Sequence, residues 1–153
     1  MSGVNVRRAR IEEIRPLAAE YAAEQLARHG ERFDPALPQG GVFWIAEEPD
    51  GTTLGYAAGT LRVDGCTIGP VFTRTSARRR GVGDALLAAI QTWAGETRVP
   101  VVEISVEADN VSGRTFLESL GYRPRRILMS LRPTAPPEGA RGTGGGAPGG
   151  GTD

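Results

Sequence analysis

The sequence predicts a mixed α/β domain in which a mainly antiparallel sheet is flanked by helices. Three observations predict it. A helical apolar pattern over Ile11–Arg28 is followed by three segments of strand character. Two of those segments meet at Asp64-Gly65, a hairpin turn signal. From there a helix, a strand, a second helix and a last short strand alternate along the chain.

Each element has its own local warrant. Val4 to Arg8 alternates in polarity and reads as a first strand. From Ile11 to Arg28 the residues Ile11, Ile14, Leu17, Ala18, Tyr21, Ala22 and Leu26 recur at spacings of three and four, which places them on one helix face. Arg28-His29-Gly30 supplies cations in the last turn and a glycine just past it, a favourable helix end. Gly30 to Gly41, with Pro35 and Pro38, is a loop. Val42–Glu47 is a strand closed by Pro49-Asp50-Gly51, and Thr53–Val63 and Cys66–Thr73 form the hairpin. Asp84–Ala94 is a helix, apolar at Leu86, Leu87, Ile90 and Trp93 and stopped by Gly95. Val99–Glu107 is a strand with Val102, Ile104 and Val106 on one face and Glu103, Ser105 and Glu107 on the other. Ser112–Leu120 is a helix ending at Gly121, and Ile127–Leu131 is a last short strand. Cys66, Trp44 and Trp93 read as core residues.

The chain has 153 residues, one domain's worth at roughly 150 residues per domain. Composition changes at Pro133: the residues from there to Asp153 carry 8 Gly and 4 Pro and no large apolar side chain. Such a segment cannot offset its ordering entropy by burial. The expectation is therefore one domain over residues 1–132 and a disordered tail over 133–153.

Composition also excludes function classes. With 18 basic and 18 acidic residues the net charge is zero, so no overall basic field draws nucleic acid or an anionic membrane. The single Cys66 excludes an internal disulfide framework and a Cys-rich metal site, and the single His29 excludes a multi-histidine one. A Ser-His-Asp hydrolase is disfavoured on the same count, and no metal is expected. No apolar run approaches the ~18 residues of a membrane span, and Met1 to Ile14 has no signal-peptide pattern. The expected location is cytoplasmic. All basic residues are Arg, scattered except for Arg78-Arg79-Arg80, which fits the composition of a GC-rich genome better than a dedicated binding surface.

The chemistry gathers in two segments. Arg78-Arg79-Arg80-Gly81-Val82-Gly83-Asp84 lies between a strand and a helix. Its glycines let the backbone turn tightly and come close to a ligand. The N–H groups at the helix start then face outward with the positive end of the helix dipole, which makes an anion cradle suited to a pyrophosphate. The plain alternative is a tight turn with a solvated Arg run. A Walker loop is excluded because the chain has no Lys, and a Rossmann fingerprint because Leu86 stands at the third glycine. The second segment runs from Asn110 to Tyr122, where Asp109 or Asn110 caps a helix, Phe116 and Leu120 face a core and Gly121 ends it.

Together the two segments resemble the GCN5-related N-acetyltransferase (GNAT) superfamily. Arg78, Gly81 and Gly83 match its coenzyme loop, and Asn110, Gly113, Phe116, Leu120, Gly121 and Tyr122 match its later motif, with one helix and one strand between them. The resemblance covers residues 1–132. It implies acetyl-CoA as co-substrate and direct attack of a primary amine on the thioester. It implies that the backbone of Val71, Phe72 and Thr73 pairs with the pantetheine arm, with the oxyanion donor near Thr73. It implies that Arg78, Arg79, Arg80, Gly81, Val82, Gly83 and Asp84 hold the pyrophosphate and that Asn110 contacts the coenzyme. The acceptor stays open between a small-molecule amine and a protein N-terminus, and the assembly between monomer and homodimer.

The departures from the pattern concern catalysis. Where many members carry a Tyr as general acid this chain has Leu117, which cannot donate a proton; Ser119 and Tyr56 are remote substitutes. The positions where many carry a Glu base are Thr67 and Ser105. Glu103 and Glu107 flank Ser105, so the catalytic candidates are Glu103, Ser105 and Glu107, against the plain reading of a solvated strand face. The segment after Tyr122 is shorter than usual. Leu117 keeps a rival open, a non-catalytic acyl-CoA-binding or sensor module on the same fold.

Overall fold

The computed structural model of the chain describes residues 3–30 and 37–134. It divides into two compact units, Met1–Asn110 and Val111–Asp153. The first holds a five-stranded sheet in the order β1-β2-β3-β4-β5, formed by β1 (Asn5–Ala9), β2 (Val42–Glu47), β3 (Thr53–Arg62), β4 (Gly65–Thr73) and β5 (Val102–Ile104). The first four strands pair antiparallel and β5 joins β4 in parallel. The helices α1 (Ile11–His29) and α2 (Val82–Thr97) connect them.

Alternation along β2 decides which helix covers which face. Phe43 and Ile45 join Tyr56, Ala58 and Phe72 in a buried cluster with Ile14, Leu17 and Ala18 of α1. Trp44 points the other way. Its ring meets Trp93 of α2 edge-to-face at 5.2 Å, and the Arg8 guanidinium sits 5.6 Å from the Trp44 ring centre. Leu86, Leu87 and Ile90 complete that side of the core, and Cys66 is fully buried. Each fully buried large apolar side chain stabilises by about 1.5–3 kcal/mol.

The start of α1 is fixed by charge. Glu13 accepts the Arg10 N–H at 2.8 Å and the Arg7 guanidinium at 2.8 Å, and Arg7 also bonds Glu47 of β2 at 2.9 Å. Arg7, with the Arg10 N–H, holds the Glu13 carboxyl down to about 2, from an ordinary value of 4.5. A folded-state value below the unfolded one adds stability above the unfolded value and loses it as pH falls toward the folded value. Glu13→Gln is therefore expected to lower the melting temperature at pH 7. The gap to the parent protein should narrow between pH 4.5 and about 2. Thermal melts across that range check it, and a gap independent of pH would contradict it.

Four expectations change against the structure. The helix predicted over Asp84–Ala94 starts at Val82 and runs to Thr97. Gly81 takes the left-handed conformation that begins it. Gly95 does not end it, because about 1 kcal/mol of glycine penalty is small against a packed apolar face. The end comes at Arg98, φ 57°, with Pro100 just beyond. The strand predicted over Val99–Glu107 is ordered as strand only at Val102–Ile104, so Ser105 and Glu107 lie past its end and do not share its face with Glu103. The hairpin turns through Val63-Asp64, one residue earlier than expected, with Gly65 already in β4.

The fourth lies in the second unit. There α3 (Val111–Ser119) is closed by Gly121 at φ 98°, with the Tyr122 N–H donating to Leu117 O at 3.1 Å. Ile127–Leu131 forms no strand: Ile127, Leu128, Met129 and Leu131 are 84–93% exposed. Alternation signals a strand only where a neighbour pairs with it. Most of the expected tail, from residue 135, lies outside the described residues, as do residues 31–36 and the His29 side chain.

Candidate functional site

The site grows from the way β4 and β5 part. Pairing between them covers Cys66↔Val102, Thr67↔Glu103 and Ile68↔Ile104 and then stops. β4 continues to Thr73, held on its other side by Gly55↔Thr73, Tyr56↔Phe72 and Ala57↔Val71. A register shift between Ala57 and Gly59 accompanies the divergence. Val71, Phe72 and Thr73 thus form a strand edge with no strand partner among the described residues. An extended ligand can add to such an edge through main-chain hydrogen bonds.

The chain then crosses a short 3-10 turn (Thr75–Ala77) into the Arg78–Asp84 loop. Arg79 and Gly81 both have positive φ, 65° and 76°. The two left-handed residues turn the chain sharply into α2, whose first-turn N–H groups have no intrahelical acceptor. A Cβ at Gly83 would meet nothing within 4 Å, so the space over this first turn is open. A diphosphate group fits what this geometry offers: outward amides, the positive helix end and clear approach.

The three arginines divide into two classes. Arg78 pairs with Glu24 of α1, and its Nε lies 3.4 Å from Thr73 O. Arg80 pairs with Glu48, beyond β2, at 2.6 Å. Arg74 grips Glu20 at 2.9 Å and Thr53 O at 3.1 Å. These side chains tie the loop to α1 and to the β2–β3 connection. Arg79, exposed to solvent, forms no ion pair among the described residues. Backbone amides, with Arg79 at the rim, therefore supply the donors an anion would meet. Asp84 is exposed in the first turn of α2 and, as an acceptor, can contribute only its N–H.

The catalytic candidates separate along the strand. Glu103 is level with Thr67, six residues from Thr73, or ~20 Å at ~3.3 Å per residue. Its carboxylate is bonded to Arg62 at 3.0 Å. Ser105 and Glu107 are exposed beyond β5. Glu107 lies three residues past Ile104, enough extended chain to bring it level with Val71–Thr73, and it forms no ion pair among the described residues. Asn110 is exposed and its N–H caps Glu107 O at 3.0 Å. In the second unit Leu117 is buried, and the Ser119 hydroxyl donates to Phe116 O at 2.5 Å. Tyr56 is fully buried on the α1 face, and burial pushes its phenol well above the ordinary range.

Sequence reasoning missed Tyr21. It belongs to the apolar stripe of α1 and reads as core, yet it is only partly buried. Its ring meets Phe72 edge-on at 5.5 Å, at the open edge of β4. Burial raises its phenol, and the Glu107 and Glu24 carboxylates raise it further. Only the distance between α1 and β4, invisible in the sequence, could have singled it out.

Comparison with known proteins agrees with this fold. The model of the acetyltransferase (GNAT) family matches residues 9–122. An aminoglycoside N(6')-acetyltransferase type 1 of Salmonella typhimurium is 27% identical over 92 residues, which cover 54% of this chain and 63% of that relative. The chain thus spans less than two thirds of the curated relative it matches. Among solved structures, a putative acetyl transferase from Pyrococcus furiosus superposes with a TM-score of 0.66 at 27% identity, covering 84% of this chain and 99% of that one. AAC(6')-Iy in complex with the bisubstrate analog CoA-S-monomethyl-acetylneamine superposes at 0.58, with 19% identity over 86% of this chain and 99% of that one, and shows the shared fold.

Proposed function

The chain belongs to the acetyltransferase (GNAT) family, and from that premise we propose that it moves an acetyl group from acetyl-CoA to a primary amine by direct attack. One observation carries the reading: the unpartnered edge of Val71–Thr73 is followed, after one 3-10 turn and the 78–82 loop, by the open, amide-lined start of α2 at Gly83. An extended arm ending in a diphosphate matches those two surfaces in that order. In this reading acetyl-CoA is the co-substrate. The edge of β4 aligns its pantetheine arm, Gly81–Asp84 and Arg79 hold its diphosphate, and Asn110, as the family resemblance implies, contacts the coenzyme.

The chain's own groups then have defined tasks. Glu107 accepts a proton from the incoming ammonium, leaving a neutral amine. A backbone N–H near Thr73 stabilises the oxyanion as the C–N bond forms. As the C–S bond breaks, the second proton on the attacking nitrogen passes to the thiolate, directly or through water, because Leu117 has none to give. Glu107 returns its proton to solvent, so the sum is amide, free thiol and one released proton. A small-molecule amine is the favoured acceptor, since the relatives named above include an aminoglycoside N(6')-acetyltransferase. A protein N-terminus remains the other acceptor to assay.

The test pairs calorimetric CoA binding with thiol release from acetyl-CoA over an amine panel. Expected are CoA binding and slow, amine-dependent thiol release. The chain has no lysine, so thiol release cannot come from acetylation of its own side-chain amines. Tight CoA binding with no release above background for any amine would favour the non-catalytic acyl-CoA-binding module, the reading that Leu117 supports.

A further inference from the structure

We propose that Glu20 and Glu24 of α1 are positioning residues for the coenzyme loop: through Arg74 and Arg78 they brace the turn that joins the open edge of β4 to the diphosphate cradle. The inference rests on the acetyl-transfer reading and adds to it the residues that hold the two coenzyme surfaces in register.

The two ion pairs match in spacing. Glu20 and Glu24 stand four apart on α1, so their side chains leave the same helix face. Arg74 and Arg78 also stand four apart, one on each side of the 3-10 turn Thr75–Ala77. Arg74 bonds Glu20 at 2.9 Å and Arg78 bonds Glu24, so the pairs form two rungs between α1 and the turn. Each arginine also reaches a main-chain carbonyl at a strand end. Arg74 donates to Thr53 O, where β3 begins, at 3.1 Å, and the Arg78 Nε lies 3.4 Å from Thr73 O, where β4 ends. Arg28 continues the row on α1 by pairing with Glu24 at 3.2 Å. An isolated exposed ion pair contributes about 1 kcal/mol or less, whereas a network of shared, forked contacts holds its members more firmly.

The braced residues lie between the two ligand surfaces. Residues 74–78 separate the Val71–Thr73 edge from the left-handed pair Arg79 and Gly81. Within them the Arg74 N–H donates to Leu54 O at 2.9 Å, the Ala77 N–H donates to Arg74 O at 2.9 Å, and Ala77 is buried. A ligand that spans both surfaces binds at lower ordering cost when their separation is fixed beforehand. The plain alternative has Arg78 meeting the diphosphate itself. Turning to the ligand would break its pair with Glu24 and its contact with Thr73 O, whereas Arg79 is exposed and forms no ion pair among the described residues.

The experiment uses the full chain and two double-mutant cycles, Glu24→Gln with Arg78→Gln and Glu20→Gln with Arg74→Gln. CoA affinity is read by calorimetry at ~0.15 M salt, where a Debye length of ~8 Å limits the reach of each variant's changed net charge. In ligand-free protein, hydrogen exchange is read at the Arg74 and Ala77 amides. Within each cycle the two single variants and the double should weaken CoA binding equally, by roughly fivefold, because the second change removes nothing further. The KM for acetyl-CoA should rise by the same factor, with kcat within about twofold of the parent. The Arg74 and Ala77 amides should exchange at least about threefold faster, with the amides that pair β1 and β2 unchanged. Unchanged CoA affinity in Glu20→Gln and Glu24→Gln, or weakened affinity with unchanged exchange, overturns the inference. So does a loss in Arg78→Gln that persists in full when added to Glu24→Gln, which would place Arg78 on the diphosphate itself. Absence of CoA binding by the parent protein would instead overturn the transfer reading; exchange at Arg74 and Ala77 then decides alone, faster in the variants keeping the brace and unchanged overturning it.

Discussion

Gly83→Val is expected to abolish coenzyme binding in a protein that still folds. The fold tolerates the change because a Cβ at Gly83 meets nothing within 4 Å. Position 83 is inside α2, where valine is at least as good a helix former as glycine, by a few tenths of a kcal/mol. The branched side chain would instead fill the space in which first-turn amides face a diphosphate. A Kd for CoA raised roughly a hundredfold or more, ~2.7 kcal/mol or above, is the expected size. Gly81→Val should weaken binding too, but through strain, since φ 76° is unfavourable for a β-branched residue. That variant should lose ~1–3 kcal/mol of stability. Calorimetry and denaturant unfolding on both variants separate the two causes. Unchanged CoA affinity in folded Gly83→Val would remove the basis for placing the coenzyme there.

The second large effect concerns the two carboxylates that the sequence could not rank. Glu107→Gln should lower turnover roughly 10²-fold near neutral pH, the lower end of what acid–base catalysis contributes. The loss should shrink at high pH, where the acceptor is already neutral and needs no base. Glu103→Gln should leave turnover nearly unchanged. It removes an ion pair to Arg62 worth about 1 kcal/mol or less at a partly exposed site, and Glu103 is six residues along β4 from Thr73. Thiol release across pH for both variants decides between them. A silent Glu107→Gln beside an impaired Glu103→Gln would reverse the assignment and require the thioester to lie nearer Thr67.

Much of the architecture was legible because it is written in local signals. The stripe from Ile11 to Leu26, the strand at Val42–Glu47 and the hairpin ahead of Cys66 depend on periodicity and turn chemistry. The turn at Gly81-Val82-Gly83 was legible for the same reason: two glycines between a strand and a helix signal a tight entry into the helix. What the sequence left open depends on distant partners. Ser105 and Glu107 continue the alternation of β5, yet β4 turns away after Ile68 and the pairing ends. Ile127, Met129 and Leu131 alternate as a strand does, without a strand neighbour among the described residues to make them one. Tyr21 differs from Leu17 only in what it faces. Arg78 and Arg80 looked like free charge on the anion loop, and the carboxylates that take up that charge lie 54 and 32 residues away.

The edge-to-face pair of Trp44 and Trp93 has a spectroscopic consequence. These are the chain's two tryptophans, and they share the α2 side of the sheet with Arg8 over their rings, while Tyr21, Phe72 and Tyr56 lie on the α1 side. Indole emission is therefore a reporter of whether α2 is seated on β2. Since α2 carries the glycine loop at its N-terminus, the same signal tells whether the loop's scaffold is in place before any ligand is added.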